Sequence, residues 1–133
     1  MTGSLDAAGL VALMPFASTL GIELEVASPE EVRGHLDWDA SRCTAGGILH
    51  GGVLMALADS VGAVCAFLNL PPGANTSTIE SKTNFFRGVR EGRLHAVARP
   101  LHVGRSTIAV QTELSDDGGR RVGITTQTQA VLS

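Results

Sequence analysis

The spacing of hydrophobic positions changes several times along the chain, and each change marks the boundary of a predicted element. Residues 5–19 have helical spacing interrupted at Pro15, which predicts one or two short helices. From residue 22 to residue 38 apolar and polar positions alternate around a Ser-Pro turn, so this stretch is predicted to be a β-hairpin. Residues 50–68 then form a nearly continuous apolar run that predicts a long buried helix, ended by a Pro-Pro-Gly stop.

The rest of the chain is predicted to form four strands separated by Gly-rich or Asp-rich turns: Ser77–Phe86, Leu94–Val103, Ser106–Leu114 and Val122–Leu132. Pro100 predicts a bulge or an edge position in the second of these. In the last strand one face carries Ile124, Thr126, Thr128, Ala130 and Leu132. One apolar helix inside a one-sided antiparallel sheet predicts a single α+β domain over residues 1–133.

Composition excludes several classes of protein. The chain has 133 residues, of which 44% are hydrophobic and 17% charged, unlike a disordered tail or a coiled coil. Four Phe, one Trp and no Tyr are too few to build a stacking platform, and the net charge of −3 also argues against nucleic acid as a partner. Two cysteines do not make a disulfide scaffold, and Cys65 in the most apolar stretch indicates a buried, reduced thiol in a cytoplasmic protein.

Residues 53–68 also resemble a membrane span, because thirteen of these sixteen residues are apolar. The run is shorter than about 20 residues, carries Asp59 and has no flanking Lys or Arg. We interpret it as the core helix of a soluble protein. The first residues lack the basic region of a signal peptide, so neither a targeting segment nor a membrane partner is expected.

Charge is unevenly distributed along the chain. Residues 1–75 sum to −6 and residues 76–133 to +3, and nine of the ten basic residues are Arg. The Arg bias has two interpretations, a GC-rich genome or a phosphate-bearing ligand that guanidinium groups bind in bidentate fashion. On the second interpretation Arg87, Arg90 and Arg105, at predicted strand ends or turns, form a candidate set.

Two features of the apolar helix suggest chemistry. His50-Gly51-Gly52 lies at its start, where unpaired backbone N–H groups and the helix dipole can hold a developing oxyanion. The alternative is a Gly-rich loop that only lets the chain turn. Asp59 is the one charge within the run, and buried carboxylates are paired, neutralised or functional. Its alternative is a surface position on a half-exposed helix.

His50 and Asp59 are nine residues apart, which places them half a turn out of phase and about 13 Å apart along a helix. Asp59 therefore cannot act on a carbonyl held at the start of its own helix. If both serve one reaction, a second copy of the helix must supply one of them. An antiparallel pair of helices across a two-fold axis meets this requirement, so the minimal active unit is predicted to be a homodimer.

The run from His50 to Asp59 resembles the signature of hotdog-fold acyl-CoA thioesterases, and is most similar to the phenylacetate-pathway and 4-hydroxybenzoyl-CoA groups. The similarity extends through Phe85-Phe86-Arg87 and Val103-Gly104-Arg105. It implies about six antiparallel strands wrapped around the long helix. It also implies an acyl-CoA substrate, no cofactor, and homodimers that pair into homotetramers.

The resemblance also implies roles for individual residues. The amide of Gly51, with Gly52 as a second candidate, would polarise the thioester carbonyl, and His50 would shape the turn. Asp59 of the partner subunit would be the nucleophile or the general base.

One position departs from the family. In the family an Asn or Gln six residues before the His contacts the nucleophilic water or the substrate. Here Thr44 occupies that position. In some relatives a hydroxyl two residues before a strand acid holds the water. The acid corresponds to Glu80 and the hydroxyl to Thr78, with Ser77 as a neighbouring alternative.

Two other functions remain open at this stage. A hydratase or dehydratase on acyl thioesters would need a His base beside the reacting carbons, whereas an Asp in the partner helix favours hydrolysis. A non-catalytic acyl-CoA sensor would not need Asp59. The four His have no metal-ligand spacing, so no metal site is expected. The sequence does not distinguish an aromatic acyl group from a short to medium linear chain.

Overall fold

A computed structural model describes residues 6–133, so the predicted helix start at Leu5 lies outside the described residues. Two short helices come first, α1 (Ala7–Ala12) and α2 (Pro15–Leu20). Asp6 caps α1 by accepting the Gly9 N–H at 2.8 Å. Pro15 is the first residue of α2, where its missing N–H costs nothing, so the interruption predicted there separates two helices.

The six strands are all antiparallel to their neighbours and form one sheet in the order β1-β2-β4-β5-β6-β3. Their bounds are β1 Glu23–Ala27, β2 Val32–Asp37, β3 Asn75–Phe85, β4 Arg93–Val103, β5 Thr107–Ser115 and β6 Arg121–Leu132. The register between β4 and β5 shifts between Pro100 and His102, which confirms the predicted bulge. The α+β hotdog arrangement expected from the sequence is therefore confirmed.

Helix α3 (Gly51–Leu68) packs across one face of this sheet, which we call the inner face. The helix is long and apolar enough to cross a bilayer, yet half of it is buried inside the fold. Its residues Leu57, Val61 and Cys65 are fully buried against the sheet. Gly62 permits the close approach, because a Cβ there would collide with the side chain of Gln127.

The inner face is apolar at one side and polar at the other. Strands β2, β4 and β5 present buried aliphatic side chains to α3, whereas β6 presents Thr125, Gln127 and Gln129, each at most 1% exposed. The alternate residues of β6, including Ile124 and Ala130, share the outer face as predicted and are half-exposed. The more apolar face of β6 is thus the outer one.

Besides the outer edge of β1, the described part of the chain leaves a second strand edge and one side of a helix open. Strand β3 pairs with β6 along one edge, while within residues 6–133 its other edge has no partner, and its Ile79 is 62% exposed. On α3, residues at four-residue spacing form a stripe that the sheet does not cover. This open stripe consists of Met55, Asp59, Ala63 and Phe67. The helix predicted to be buried all round therefore has one exposed side, and Asp59 lies on it.

Candidate active site

The start of α3 presents one free backbone amide. His50 is the N-cap residue, and its Nδ1 accepts the N–H of Gly52 at 2.8 Å. The preceding backbone is anchored, since the N–H of Leu49 donates to Val89 O at 2.9 Å. Among the described residues the N–H of Gly51 has no acceptor, and as the first helical residue it has none inside the helix. Gly51 is therefore available to hold a carbonyl oxygen, whereas Gly52 is occupied by His50.

An aromatic ring lies against this amide. A Cβ built on Gly51 would be 3.5 Å from Cε1 and Cζ of Phe85, the last residue of β3. The ring borders the helix start on one side, while Phe85 itself is half exposed in the single chain. A hydrogen bond to an oxyanion is stronger where water is excluded. Sequence reasoning noted Phe85 only as part of a family resemblance, because nothing local indicates that β3 ends beside α3.

Asp59 lies on the open stripe, eight residues after Gly51, which is about 12 Å along the helix axis. Its carboxylate has no hydrogen-bond or salt-bridge partner in the described part of the chain. Partial burial against apolar neighbours raises the pKa of this carboxyl above its usual range. The structure keeps the two groups apart within one chain, as the helical spacing predicts.

The structure separates the two candidate hydroxyls on β3. Thr78 lies directly opposite the buried Gln129 and shares the inner face with it, and its Oγ1 accepts from Gln129 Nε2 at 2.8 Å. Ser77 lies opposite Ala130 and points to the outer face. A bulge at Ile79 follows immediately. Only Thr78 is therefore on the same side of the sheet as α3.

Thr44 lies in the exposed loop before α3, where it precedes a short 3₁₀ turn, Ala45–Gly47. Its N–H donates to Ile48 O at 2.8 Å, and its hydroxyl caps no N–H of that turn. The loop is tied to the helix start, since the N–H of His50 donates to Arg42 O at 3.0 Å. The departure from the family thus places a short hydroxyl side chain in this loop.

Two neighbouring cavities lie near the start of α3. The first, of about 370 Å³, is lined by Gly51, Phe85 and Phe86 among others. It shares Arg87 and the two residues after it with a second cavity of about 600 Å³. The second is polar and is lined by charged residues from the β3–β4 and β5–β6 connections: Arg87, Arg90, Glu91, Asp116, Asp117 and Arg120.

The candidate arginines differ from the others in their partners. Six of the nine form an ion pair or donate to a backbone carbonyl: Arg33, Arg42, Arg93, Arg99, Arg120 and Arg121. Arg87, Arg90 and Arg105 have no such partner within residues 6–133, and all three are exposed. Arg87 and Arg90 share the 600 Å³ cavity, whereas Arg105 lines a different cavity beside residues 71–74, near the other end of β3.

An apolar cavity of about 180 Å³ adjoins the open stripe on the far side of Asp59 from Gly51. Ala63 lies one helical turn after Asp59 and forms part of its wall. The other lining residues come from α1 and the link after it, from α3 and from β3: Leu10, Leu13, Met14, Val64, Phe67 and Thr76. No residue of this cavity was proposed from the sequence, because residues far apart in the chain border it and leave no local signal.

Other chemistry finds no support at these residues. Burial raises the pKa of the Cys65 thiol to about 11, so it stays protonated and inert at neutral pH, as expected for a core residue. Within the described range, no group of three His, Cys, Asp or Glu side chains is placed to hold a metal ion. A carboxylate and a free backbone amide are the reactive groups that the described residues of the site offer.

Comparison with known proteins supports the same chemistry. A family model described as "Thioesterase superfamily" matches residues 46–122. The crystal structure of a variant of thioesterase PA1618 from Pseudomonas aeruginosa is similar with a TM-score of 0.91 and 31% sequence identity, covering 98% of this chain and 96% of that one. The 1,4-dihydroxy-2-naphthoyl-CoA hydrolase of Escherichia coli is 36% identical over 65% of this chain and 63% of its own. Proofreading thioesterase EntH of Cronobacter turicensis is 28% identical over 97% of this chain and 94% of its own.

The family match spans more than half of the chain and includes the helix start, Asp59 and all of β3. The similarity to thioesterase PA1618 extends over nearly the whole fold. The chain belongs to the thioesterase superfamily, and it is a hotdog-fold hydrolase of thioester bonds.

Proposed function

We propose that the protein hydrolyses acyl-CoA thioesters carrying an aromatic or a short to medium acyl chain, at sites built from two copies of the chain. The observation that carries the proposal is the placement of the free Gly51 amide and the unpartnered Asp59 carboxylate on one helix. They are about 12 Å apart along its axis, too far to act on one carbonyl. Pairing two helices antiparallel brings Gly51 of one chain to Asp59 of the other.

The surfaces that such a pair would use are the free edge of β3 and the open stripe of α3. A two-fold axis beside β3 joins the free edges of two β3 strands into one continuous sheet, and it covers the open stripe of α3. Both surfaces carry exposed apolar side chains, Ile79 on β3 and Phe67 on α3. The homodimer is therefore the minimal active unit of the proposal. Homotetramers and a cytoplasmic location are further expectations.

Hydrolysis follows from these groups without a cofactor. The thioester carbonyl oxygen accepts the Gly51 N–H, and the Phe85 ring excludes water from that bond. Asp59 of the partner subunit removes a proton from water that attacks the carbonyl carbon, or attacks it directly and is then released by water. The C–S bond breaks, the thiolate of CoA takes up a proton, and the free acid is released. Thr78 orients the attacking water.

The two neighbouring cavities suit the CoA portion of the substrate. Gly51 and Arg87 both line the 370 Å³ cavity, and Arg87 and Arg90 both line the 600 Å³ cavity. A phosphate there would meet guanidinium groups that have no internal partner. Arg105 lies about 33 Å away along β3. Antiparallel pairing of β3 strands would bring Arg105 of the partner subunit toward the same end.

The 180 Å³ apolar cavity suits the acyl group. An engineered apolar protein cavity of about 150 Å³ binds benzene, so this one has room for a single aromatic ring or a short aliphatic chain. The similarity to a hydrolase named for an aryl-CoA, 1,4-dihydroxy-2-naphthoyl-CoA, supports the aromatic choice.

A thiol-trapping assay with a panel of acyl-CoA esters tests the proposal. The wild type should release CoA fastest from an aromatic or a short to medium ester. Asp59→Asn should lower kcat by about 10²–10⁴-fold while binding of acyl-CoA, measured by calorimetry, persists. If the wild type binds acyl-CoA and releases no thiol from any ester, the protein is a sensor. If it adds water to an enoyl-CoA instead, it is a hydratase.

A further inference from the structure

The amide of Gln129 is held at both ends. Gln129 is 1% exposed and lies opposite Thr78, to whose Oγ1 its Nε2 donates at 2.8 Å. Its Oε1 lies 3.1 Å from Oγ1 of Thr76, whose single proton is shared with the carbonyl oxygen of Ala130 at 2.8 Å. Both ends of the amide are thus in contact with hydroxyls of β3.

A second glutamine on the same strand shows that this bonding is specific. Gln127 lies two residues earlier on the same inner face and is also 1% exposed. Neither its Oε1 nor its Nε2 has a hydrogen-bond partner within residues 6–133. The two side chains match in type, strand, face and burial. They differ in that Gln129 is bonded to a hydroxyl on β3 that is exposed in the single chain.

We infer that Gln129 is a positioning residue for the hydrolysis, one that holds the Thr78 hydroxyl in the orientation that meets the attacking water. The inference rests on the proposed function, in which Thr78 orients that water. Gln129 occupies one lone pair of Oγ1, so the proton and the other lone pair are left for the water. A hydroxyl that accepts one hydrogen bond also becomes a better donor in the next. Rotation of Thr78 about χ1 breaks the bond, so the amide selects one rotamer.

Steady-state kinetics of Gln129→Met test the inference. Loss of the orienting hydrogen bond should lower kcat about tenfold and leave KM within about twofold. In a Thr78→Val background the same substitution should have no further effect on kcat, because the hydroxyl that it orients is gone. In a Thr78→Ser background, which keeps the hydroxyl, the loss should return.

Gln127→Met is the matched control, and its kcat should stay within about twofold of the wild type. Circular dichroism and sedimentation establish that each variant keeps the native fold and assembly. If Gln129→Met does not fold, Thr76→Val replaces it: removing the hydroxyl that holds Oε1 should lower kcat, and Thr78→Val should abolish that effect.

An unchanged kcat in a folded Gln129→Met variant would overturn the inference. So would a loss of equal size with and without the Thr78 hydroxyl. Either result leaves the proposed function intact. Absence of any thiol release by the wild type is a separate outcome that removes both.

Discussion

The imidazole Nδ1 of His50 accepts the amide proton of Gly52 at 2.8 Å, and this bond leaves Gly51 as the amide at the helix start with no acceptor in the described chain. The histidine that resembles a catalytic residue in the sequence thus acts on the backbone. His50 accepts the N–H of Gly52 and fixes the turn that presents the N–H of Gly51.

His50→Ala should therefore lose both stability and activity. Removal of an N-cap acceptor costs about 1 kcal/mol, and a loosened turn should lower kcat about tenfold. His50→Asn is the control, because its shorter side chain can accept the same Gly52 N–H and should retain most of both. Thermal unfolding and steady-state kinetics measure the two effects. Equal inactivity of the two variants would show that the imidazole does more than cap the helix.

The pH dependence of kcat/KM should report Asp59. The carboxyl must be ionised to take a proton, and burial raises its pKa above the usual value of about 3.9. Activity should therefore fall with decreasing pH with a midpoint above that value. A midpoint at or below the usual value would contradict the assignment.

The same raised pKa has a consequence for stability. Because the folded chain favours the protonated form of Asp59, its stability decreases as the pH rises through the raised pKa. Asp59→Asn should therefore unfold at a higher temperature than the wild type at neutral pH, while being far less active. A lower unfolding temperature at neutral pH would indicate a favourable partner for the carboxylate.

Mixing two inactive variants should restore activity if each site takes one group from each chain. Gly51→Ala adds a Cβ only in ordinary contact with Phe85, so it should fold, but the methyl group obstructs the approach of the carbonyl. Random dimers of this variant with Asp59→Asn should have about one quarter of wild-type activity, because half are mixed and each mixed dimer has one intact site. Co-expression with two different tags allows the mixed dimer to be isolated and assayed. A mixture of Asp59→Asn and Asp59→Ala is the control that should stay inactive.

Substitution of the unpartnered arginines should weaken binding of the CoA portion. Arg87→Gln or Arg90→Gln should raise KM for an acyl-CoA about tenfold, through loss of a charge-assisted contact with phosphate. The same variants should keep the wild-type KM for an acyl thioester of N-acetylcysteamine, which has no phosphate. Arg121→Gln, whose guanidinium pairs with Glu113 at 2.8 Å, is the matched control. Equal losses on both substrates would place these arginines outside the phosphate site.

Ala63 should control the size of the acyl group. A larger side chain at this wall of the 180 Å³ cavity removes space that an aromatic ring would fill. Ala63→Leu should raise KM for benzoyl-CoA at least tenfold, in keeping with the usual cost of overpacking. The KM for acetyl-CoA should change little. A uniform change across the acyl panel would place the acyl group elsewhere.

Local features of the fold were predictable from the sequence. The long helix, the hairpin and four later strands appear within a few residues of their predicted bounds, and the bulge at Pro100 is present. These features depend only on residues a few positions apart in the chain. The missing N–H of Pro100 predicts the bulge, and the alternation of side chains predicts the strands. The separation of His50 and Asp59, nine residues apart and half a turn out of phase, also follows from helix geometry alone.

Features that depend on distant neighbours were not predictable. The inner face of β6 is the polar one, because it faces Gly62 of α3 and the hydroxyls of β3. Asp59, for which the sequence left a buried and a surface position open, lies at the surface because the sheet leaves one side of α3 uncovered. Both outcomes follow from strand order, which periodicity does not contain.

Strand order also has a consequence for how the chain is made. The only strand that pairs with β3 within residues 6–133 is β6, and β4 and β5 lie between them in the sequence. During synthesis β3, with Ile79 and Phe85 on it, must wait without a ladder partner until β6 has left the ribosome. Non-local pairing of this kind folds slowly, and an unpaired strand edge invites aggregation. A chain interrupted before residue 121 would leave β3 unpaired on both edges.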